Sequence, residues 1–152
     1  HAMTGWRIGY LAAPEQVIQK LVEPRHTLSI SASTPSQYAA LAAATGPQDA
    51  VAEIMATYVA RRKILLPGLD ALGFTYGTPA GAFYVYTNVS STGMPATLFC
   101  ERLLEDARVL VQPGMLFADP DDRYVRFSLL QQEARIEEAL DRMQRALSRM
   151  TV

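Results

Sequence analysis

Apolar side chains recur every three or four positions through much of the first half of the chain, a spacing that predicts helices. We expect a short helix over residues 15–23, an alanine-rich helix over residues 37–45 and a long helix over residues 49–72. Pro67 should kink the long helix or mark a second segment. Ahead of these helices, a strand is predicted at residues 7–12, most of which are apolar.

After Gly73 the pattern changes to short runs of aromatic and β-branched residues, which are typical of strands. Strands are predicted at residues 74–76, 82–86, 109–111 and 124–128. Helical spacing returns at residues 95–107 and 132–150. Because Gly46 and Pro47 interrupt the helices, we expect the chain to divide near residue 46 into an incomplete α/β piece and an α+β unit.

The composition narrows the class of protein without identifying it. The chain carries 14 basic and 15 acidic residues, and this balance argues against binding to nucleic acid or to an anionic membrane. Its longest apolar run, residues 38–44, is far shorter than the ~20 residues that a membrane-spanning helix needs. A single cysteine, Cys100, indicates a reducing, cytoplasmic compartment, and two histidines beside it predict no His/Cys metal site.

Two arginines stand out by their surroundings. Arg7 precedes the apolar residues 8–11, so we expect its guanidinium to be half-buried and to need an anion. Arg126 lies in a predicted strand and, by alternation, shares a face with Tyr124 and Ser128. A planar, permanently charged guanidinium suits a carboxylate or a phosphate. For each arginine, the alternative is an ion pair with one of the 15 acidic residues.

Four segments carry motifs that follow one another along the chain. Residues 3–10 read Met-Thr-Gly-Trp-Arg-Ile-Gly-Tyr, and residues 79–84 read Pro-Ala-Gly-Ala-Phe-Tyr. Residues 109–114 read Val-Leu-Val-Gln-Pro-Gly ahead of Phe117, and residues 124–128 read Tyr-Val-Arg-Phe-Ser. The first motif resembles the segment just after the Schiff-base lysine of class I/II aminotransferases, which are fold type I pyridoxal-phosphate enzymes. The others resemble that family's Pro-x-Gly-Ala-Phe-Tyr strand, Val-x-Val-x-Pro-Gly-x-x-Phe loop and Val-Arg-Leu/Ile-Ser ending.

The resemblance implies an α/β fold in which residues 1–46 end a large, three-layer α/β/α cofactor-binding domain. Residues 47–152, which include the long connecting helix, correspond to a small α+β C-terminal domain. By position, Arg7 matches the arginine that binds the cofactor phosphate, and Arg126 matches the arginine that binds the substrate α-carboxylate. The Schiff-base lysine is expected two residues before His1, so the 152 residues contain no catalytic residue and should have no turnover alone.

For the intact parent, the resemblance implies transfer of an amino group between an amino acid and a 2-keto acid. The implied cofactor is pyridoxal 5'-phosphate, and the implied partners are the missing N-terminal portion and a second copy in a homodimer. Two alternatives stay open: a lyase, decarboxylase or synthase on the same fold, and a stand-alone binding or assembly domain without catalysis. Trp6, Tyr84 and Tyr86 either line an aromatic pocket or belong to the core.

Overall fold

The computed structural model describes residues 1–150 and places them in two compact units, His1–Met55 and a second that begins at Ala56. Residues 151 and 152, the last of the predicted C-terminal domain, lie outside the described part, as does the side chain of Met150. The division between the units falls within a continuous helix, α3, which spans Asp49–Ala71.

The described residues of the first unit form helices and no strand. A 3-10 helix, Thr4–Trp6, is followed by α1, Glu15–Leu28, and by α2, Thr34–Thr45. The strand predicted at residues 7–12 is wrong, since these residues join no ladder and most of them are exposed. A strand is stable only when its backbone groups pair with a neighbouring strand, and the described part of this unit offers none.

Two prolines and a glycine shape the helices of this unit. Pro35 lies in the first turn of α2, where its missing N–H is not needed, and the helix begins ahead of the predicted residue 37. Helix α1 continues through Pro24 beyond its predicted end at residue 23. Helix α2 ends before Gly46, where an added Cβ would lie 2.6 Å from the carbonyl oxygen of Ala42. Only a residue without a side chain therefore fits this close turn.

The second unit is built on a four-stranded antiparallel sheet in the order β1-β2-β4-β3. Its strands are β1, Thr75–Tyr76; β2, Tyr84–Asn88; β3, Gln112–Pro113; and β4, Tyr124–Ser128. Strand β4 has its predicted bounds, and β1 and β2 overlap theirs. The strand predicted at residues 109–111 is wrong in position, because pairing with β4 involves the residues that follow it.

The helices of the second half lie close to their predicted bounds. Helix α3 is continuous through Pro67, so this proline marks no second segment. Helix α4, Ala96–Arg102, continues directly into a π-helical turn, Leu103–Ala107, and α5 spans Glu133–Met150. Among the described residues, no helix combines the length and the apolar content needed to cross a bilayer.

The core of the second unit lies on one face of its sheet. Val85 of β2 and Val125 and Phe127 of β4 are buried, and the alternation of side chains along a strand puts them on this face. They belong to one apolar cluster with residues of α3, α4, the π-helical turn and α5, namely Leu65, Leu69, Phe99, Leu103, Ile136 and Met143. The alternate strand residues are directed to the opposite, more exposed face.

Candidate functional site

Arg126 lies at the centre of β4 on the more exposed face of the sheet. It is half-buried, and the register of the sheet pairs it with Tyr86 of β2. Its neighbours along β4, Val125 and Phe127, are buried in the core, whereas Tyr124 and Ser128 are not. This alternation confirms the prediction that Arg126 shares a face with Tyr124 and Ser128.

Two aromatic rings hold the Arg126 guanidinium. Its Cζ atom lies over the Tyr84 ring, 4.0 Å from the centroid, and over the Phe117 ring, 3.9 Å from the centroid. Both distances are well within the range of a cation–π contact. Because a guanidinium stacks through its flat face, these contacts leave the N–H groups at its edges available for hydrogen bonds.

One of those edge groups is bound by an uncharged side chain. The Nη2 atom of Arg126 donates a hydrogen bond to Oε1 of Gln112, which lies directly opposite on β3. No carboxylate among residues 1–150 forms an ion pair with Arg126, so the alternative of an internal ion pair does not hold within the described part. The positive charge of Arg126 is therefore not neutralised there.

Gly114 allows the chain to bring Phe117 to Arg126. A short 3-10 helix, Gly114–Phe117, directly follows β3. A Cβ added to Gly114 would lie 2.4 Å from Oη of Tyr86, 2.8 Å from the Tyr124 carbonyl oxygen and 2.9 Å from Oδ2 of Asp119. The Tyr124 oxygen is backbone and cannot move away cheaply, so any side chain at this position displaces the loop.

Replacing Gly114 by alanine is therefore expected to lower the free energy of unfolding by about 2 kcal/mol, the usual cost of overpacking. Gly77→Ala is the matched control, since an added Cβ there meets no atom within 4 Å. Urea unfolding of both variants measures the difference. Equal midpoints for the two variants would contradict the close packing around Gly114.

The carboxylate of Asp119 fixes the turn between Phe117 and β4. Its Oδ2 accepts the backbone N–H groups of Arg123 and Tyr124, each at 2.8 Å, and its Oδ1 accepts that of Asp121 at 3.2 Å. Burial alone would raise the pKa of Asp119. The three backbone hydrogen bonds and the charge of Arg123 outweigh burial, and together they hold the pKa below its usual value.

The three aromatic residues considered for a pocket have different surroundings. Tyr84 covers Arg126, as described above, and Trp6 is half exposed. Tyr86 stacks on Tyr124 with ring centroids 5.0 Å apart. Burial, followed by the charge of Asp119, raises the pKa of Tyr86, so its phenol stays protonated at neutral pH. Tyr84 and Tyr86 thus support the loop and the arginine.

Arg7 is exposed, and the prediction of half-burial is wrong because the strand that would have buried it does not form. It follows the first 3-10 helix in the left-handed region, with φ 50°, and its Nη1 donates to the Thr4 carbonyl at 3.2 Å. No carboxylate of the described residues forms an ion pair with it. Its role as a phosphate ligand stays a prediction.

Behind Tyr84, the aromatic contacts continue to helix α3. The Phe83 ring lies 4.4 Å from the Tyr84 ring and 5.8 Å from the Tyr58 ring, measured between centroids. Arg62 of α3 donates a 2.9 Å hydrogen bond from Nη1 to the carbonyl of Pro79. Residues 79–84, which include Tyr84, therefore contact α3 near both ends of this segment.

Gln112 is the member of this site that the sequence analysis missed. It occupies a position that the Val-x-Val-x-Pro-Gly motif leaves variable, so the motif gives it no signal. Phe117 and Tyr84 belong to quoted motifs, but the motifs do not indicate that both rings contact Arg126. Only the pairing of β3 with β4 reveals that Gln112 faces Arg126.

A half-buried arginine that contacts two aromatic rings and has no acidic partner among residues 1–150 has the chemistry that suits an anion. The sequence profile of one family, "Aminotransferase class I and II", matches residues 1–143. The chain belongs to this family, which confirms the resemblance drawn from the four motifs.

Individual aminotransferases are similar to this chain in sequence and in structure. The chain is 37% identical over 148 residues to aromatic-amino-acid aminotransferase 2 of Thermococcus litoralis and to aspartate aminotransferase of Pyrococcus abyssi. The crystal structure of an aromatic aminotransferase from Pyrococcus horikoshii matches 97% of this chain with a TM-score of 0.89 and 37% identity. The chain spans 38% of the length of the two curated relatives and 40% of that structure.

Proposed function

We propose that this chain is the C-terminal part of a pyridoxal-phosphate-dependent aminotransferase, which moves an amino group between an amino acid and a 2-keto acid. Residues 1–46 then end the large cofactor domain, and residues 47–152 form the small domain. Family membership supports the reaction class. Relatives of equal identity bear aromatic and aspartate names, and such substrates share their amino group and α-carboxylate.

The observation that carries this proposal is the guanidinium of Arg126, which is positioned on both rings and has no acidic partner among residues 1–150. A substrate α-carboxylate would supply the missing negative charge and accept two parallel N–H groups. Such a contact fixes the direction of the bonds at the substrate Cα. Arg126 would thereby bind and orient the substrate, without transferring a proton.

Arg7 has the chemistry needed to hold the cofactor phosphate. It is an exposed cation whose one hydrogen bond within its unit, to the Thr4 carbonyl, leaves other N–H donors available. Pyridoxal 5'-phosphate, when bound, supplies a carbonyl carbon for the amino group and a ring that accepts electrons. The lysine that carries the cofactor is expected two residues before His1.

The proposed parent is a cytoplasmic homodimer, as expected for this family and for a chain with one cysteine. Cys100 takes no part in the chemistry. Its side chain is buried, and burial, followed by the charges of Asp122 and Glu101, raises the pKa of its thiol to about 12. A thiol that stays protonated at neutral pH is a poor nucleophile.

The proposed function is tested on the complete protein that contains this chain. Borohydride reduction with bound pyridoxal 5'-phosphate is expected to fix one cofactor on the lysine two residues before His1, as read by peptide mass. Amino acid and 2-keto acid pairs should then exchange amino groups, whereas residues 1–152 alone should not support turnover. A protein that fixes no cofactor, or that transfers no faster than free cofactor, overturns the proposal.

Replacing Arg7 by glutamine is expected to weaken cofactor binding by about tenfold to a hundredfold, because a charge-assisted hydrogen bond to phosphate is lost. Fluorescence titration of the apoprotein with pyridoxal 5'-phosphate measures the change. Arg25→Gln serves as the matched control, since Arg25 is exposed and, among residues 1–150, its side chain donates to the Ile30 carbonyl alone. Equal dissociation constants for the two variants would remove Arg7 from the phosphate site.

A further inference from the structure

We propose that Gln112 is a positioning residue for the substrate carboxylate, because its uncharged carbonyl oxygen anchors the Arg126 guanidinium without neutralising it. This inference rests on the proposed function. It goes beyond that function by assigning a role to a side chain at a variable position of the loop motif.

The sheet register places Gln112 where it can do this. Gln112 and Arg126 are directly paired across β3 and β4, and the next pair joins Pro113 to Val125. Phe117 follows at the end of the 3-10 helix that begins at Gly114. One short segment, residues 112–117, therefore supplies both the oxygen at the edge of the guanidinium and one of the rings against its face.

Anchoring matters because an arginine side chain has many rotamers. Ordering such a side chain during binding costs roughly 0.5–1.5 kcal/mol, which lowers affinity up to about tenfold. The Arg126 side chain is already ordered before substrate binds, because two rings and the amide oxygen of Gln112 contact its guanidinium. Gln112 accepts one N–H group of Nη2. The second N–H group of Nη2 and its neighbour on Nη1 or Nε still form a parallel pair that can donate to the carboxylate.

The neutrality of Gln112 is as important as its oxygen. A glutamate here would keep an acceptor beside Arg126. It would also form an ion pair with the guanidinium and so compete with the substrate carboxylate for the positive charge. Methionine has nearly the same length and shape but no oxygen. The variants Gln112→Met and Gln112→Glu therefore separate loss of the anchor from competition for the charge.

The test measures binding of two probes to the complete, cofactor-loaded enzyme by calorimetry. The first probe is the 2-methyl analogue of its best amino acid substrate, which keeps the carboxylate but has no Cα hydrogen to lose. The second is the corresponding amine without a carboxylate. We expect Gln112→Met to weaken the first probe about fivefold and Gln112→Glu to weaken it on the order of fiftyfold, with the second probe unchanged within twofold. In steady-state kinetics of Gln112→Met, KM should rise by the same factor while kcat changes less than twofold.

Three results would overturn the inference. In the first, Gln112→Met binds the carboxylate probe as tightly as the wild type does, whereas Arg126→Gln binds it at least a hundredfold more weakly. This result overturns the role of Gln112 and leaves the proposed function standing. Another is equal weakening of both probes, which indicates a purely structural role for Gln112. The third is unchanged binding of the carboxylate probe by Arg126→Gln, which overturns the carboxylate role of Arg126 and the inference together.

Discussion

Replacing Arg126 by glutamine should lower kcat/KM of the complete enzyme by about three orders of magnitude for every amino acid and 2-keto acid it uses. Removing one partner of a hydrogen-bonded charge pair in a desolvated site costs about 2–5 kcal/mol. The effect falls on all substrates because the α-carboxylate is common to them. Glutamine keeps N–H donors, but it has neither the charge nor the planar pair of donors that a carboxylate accepts.

Two further variants make the result specific. Arg126→Lys keeps the positive charge but loses the two parallel N–H donors of the guanidinium. Its kcat/KM should therefore lie between those of the wild type and Arg126→Gln. Arg123→Gln removes an exposed arginine near the start of β4 and should leave kcat/KM within twofold. Steady-state rates over several substrate pairs measure all three. A folded Arg126→Gln enzyme that loses less than tenfold would exclude Arg126 as the carboxylate ligand.

Replacing Asp119 by alanine is expected to open the turn between residues 117 and 124. Three backbone N–H groups, those of Asp121, Arg123 and Tyr124, lose their acceptor at once. Burying unsatisfied donors costs about 1–3 kcal/mol each, and water reaches part of this turn, so we expect about 3 kcal/mol in total. Hydrogen exchange of these three amides should accelerate on the order of a hundredfold. Asp121→Ala, at a largely exposed carboxylate, is the control.

The lowered pKa of Asp119 determines how the turn should respond to acid. The pKa of Asp119 is lower in the folded protein than in the unfolded chain. The contribution of its carboxylate to folding stability is therefore complete above the unfolded pKa, about 3.9, and is lost as pH falls through the folded pKa. The protection of the Tyr124 amide should therefore decrease below about pH 4, and Asp119→Asn should flatten this pH dependence. Equal pH profiles for the wild type and Asp119→Asn would contradict the role of the charge.

The local patterns of the sequence predict most of the second unit and less of the first. Helices α3 and α5 follow apolar periodicities that are internal to each segment, and β4 has an alternation that correctly directs Arg126 away from the core. The same rule fails at residues 7–12. An apolar run indicates a strand only if other strands lie beside it, and a run of six residues carries no information about that.

The candidate site shows the same division between local and distant information. Arg126, Tyr84 and Phe117 belong to motifs that can be recognised in the chain, although the motifs do not show that the two rings stack on the guanidinium. Gln112 has no motif of its own. It becomes part of the site because β3 pairs with β4 in one register, and a shift of one residue would direct it to the opposite face.

The sequence by itself determined the family of this protein, the helices of its second unit and the two arginines with a proposed anion partner. These depend on residues close together in the chain, where spacing and residue type act directly. The tertiary structure alone decided that Arg7 is exposed, that Gln112 and two rings hold Arg126, and that Gly114 and Asp119 shape the loop between them. The exposure of Arg7 and the contacts around Arg126 and Gly114 depend on which separate segments lie beside each other, which no local pattern specifies. The hydrogen bonds of Asp119, in contrast, stay within residues 119–124.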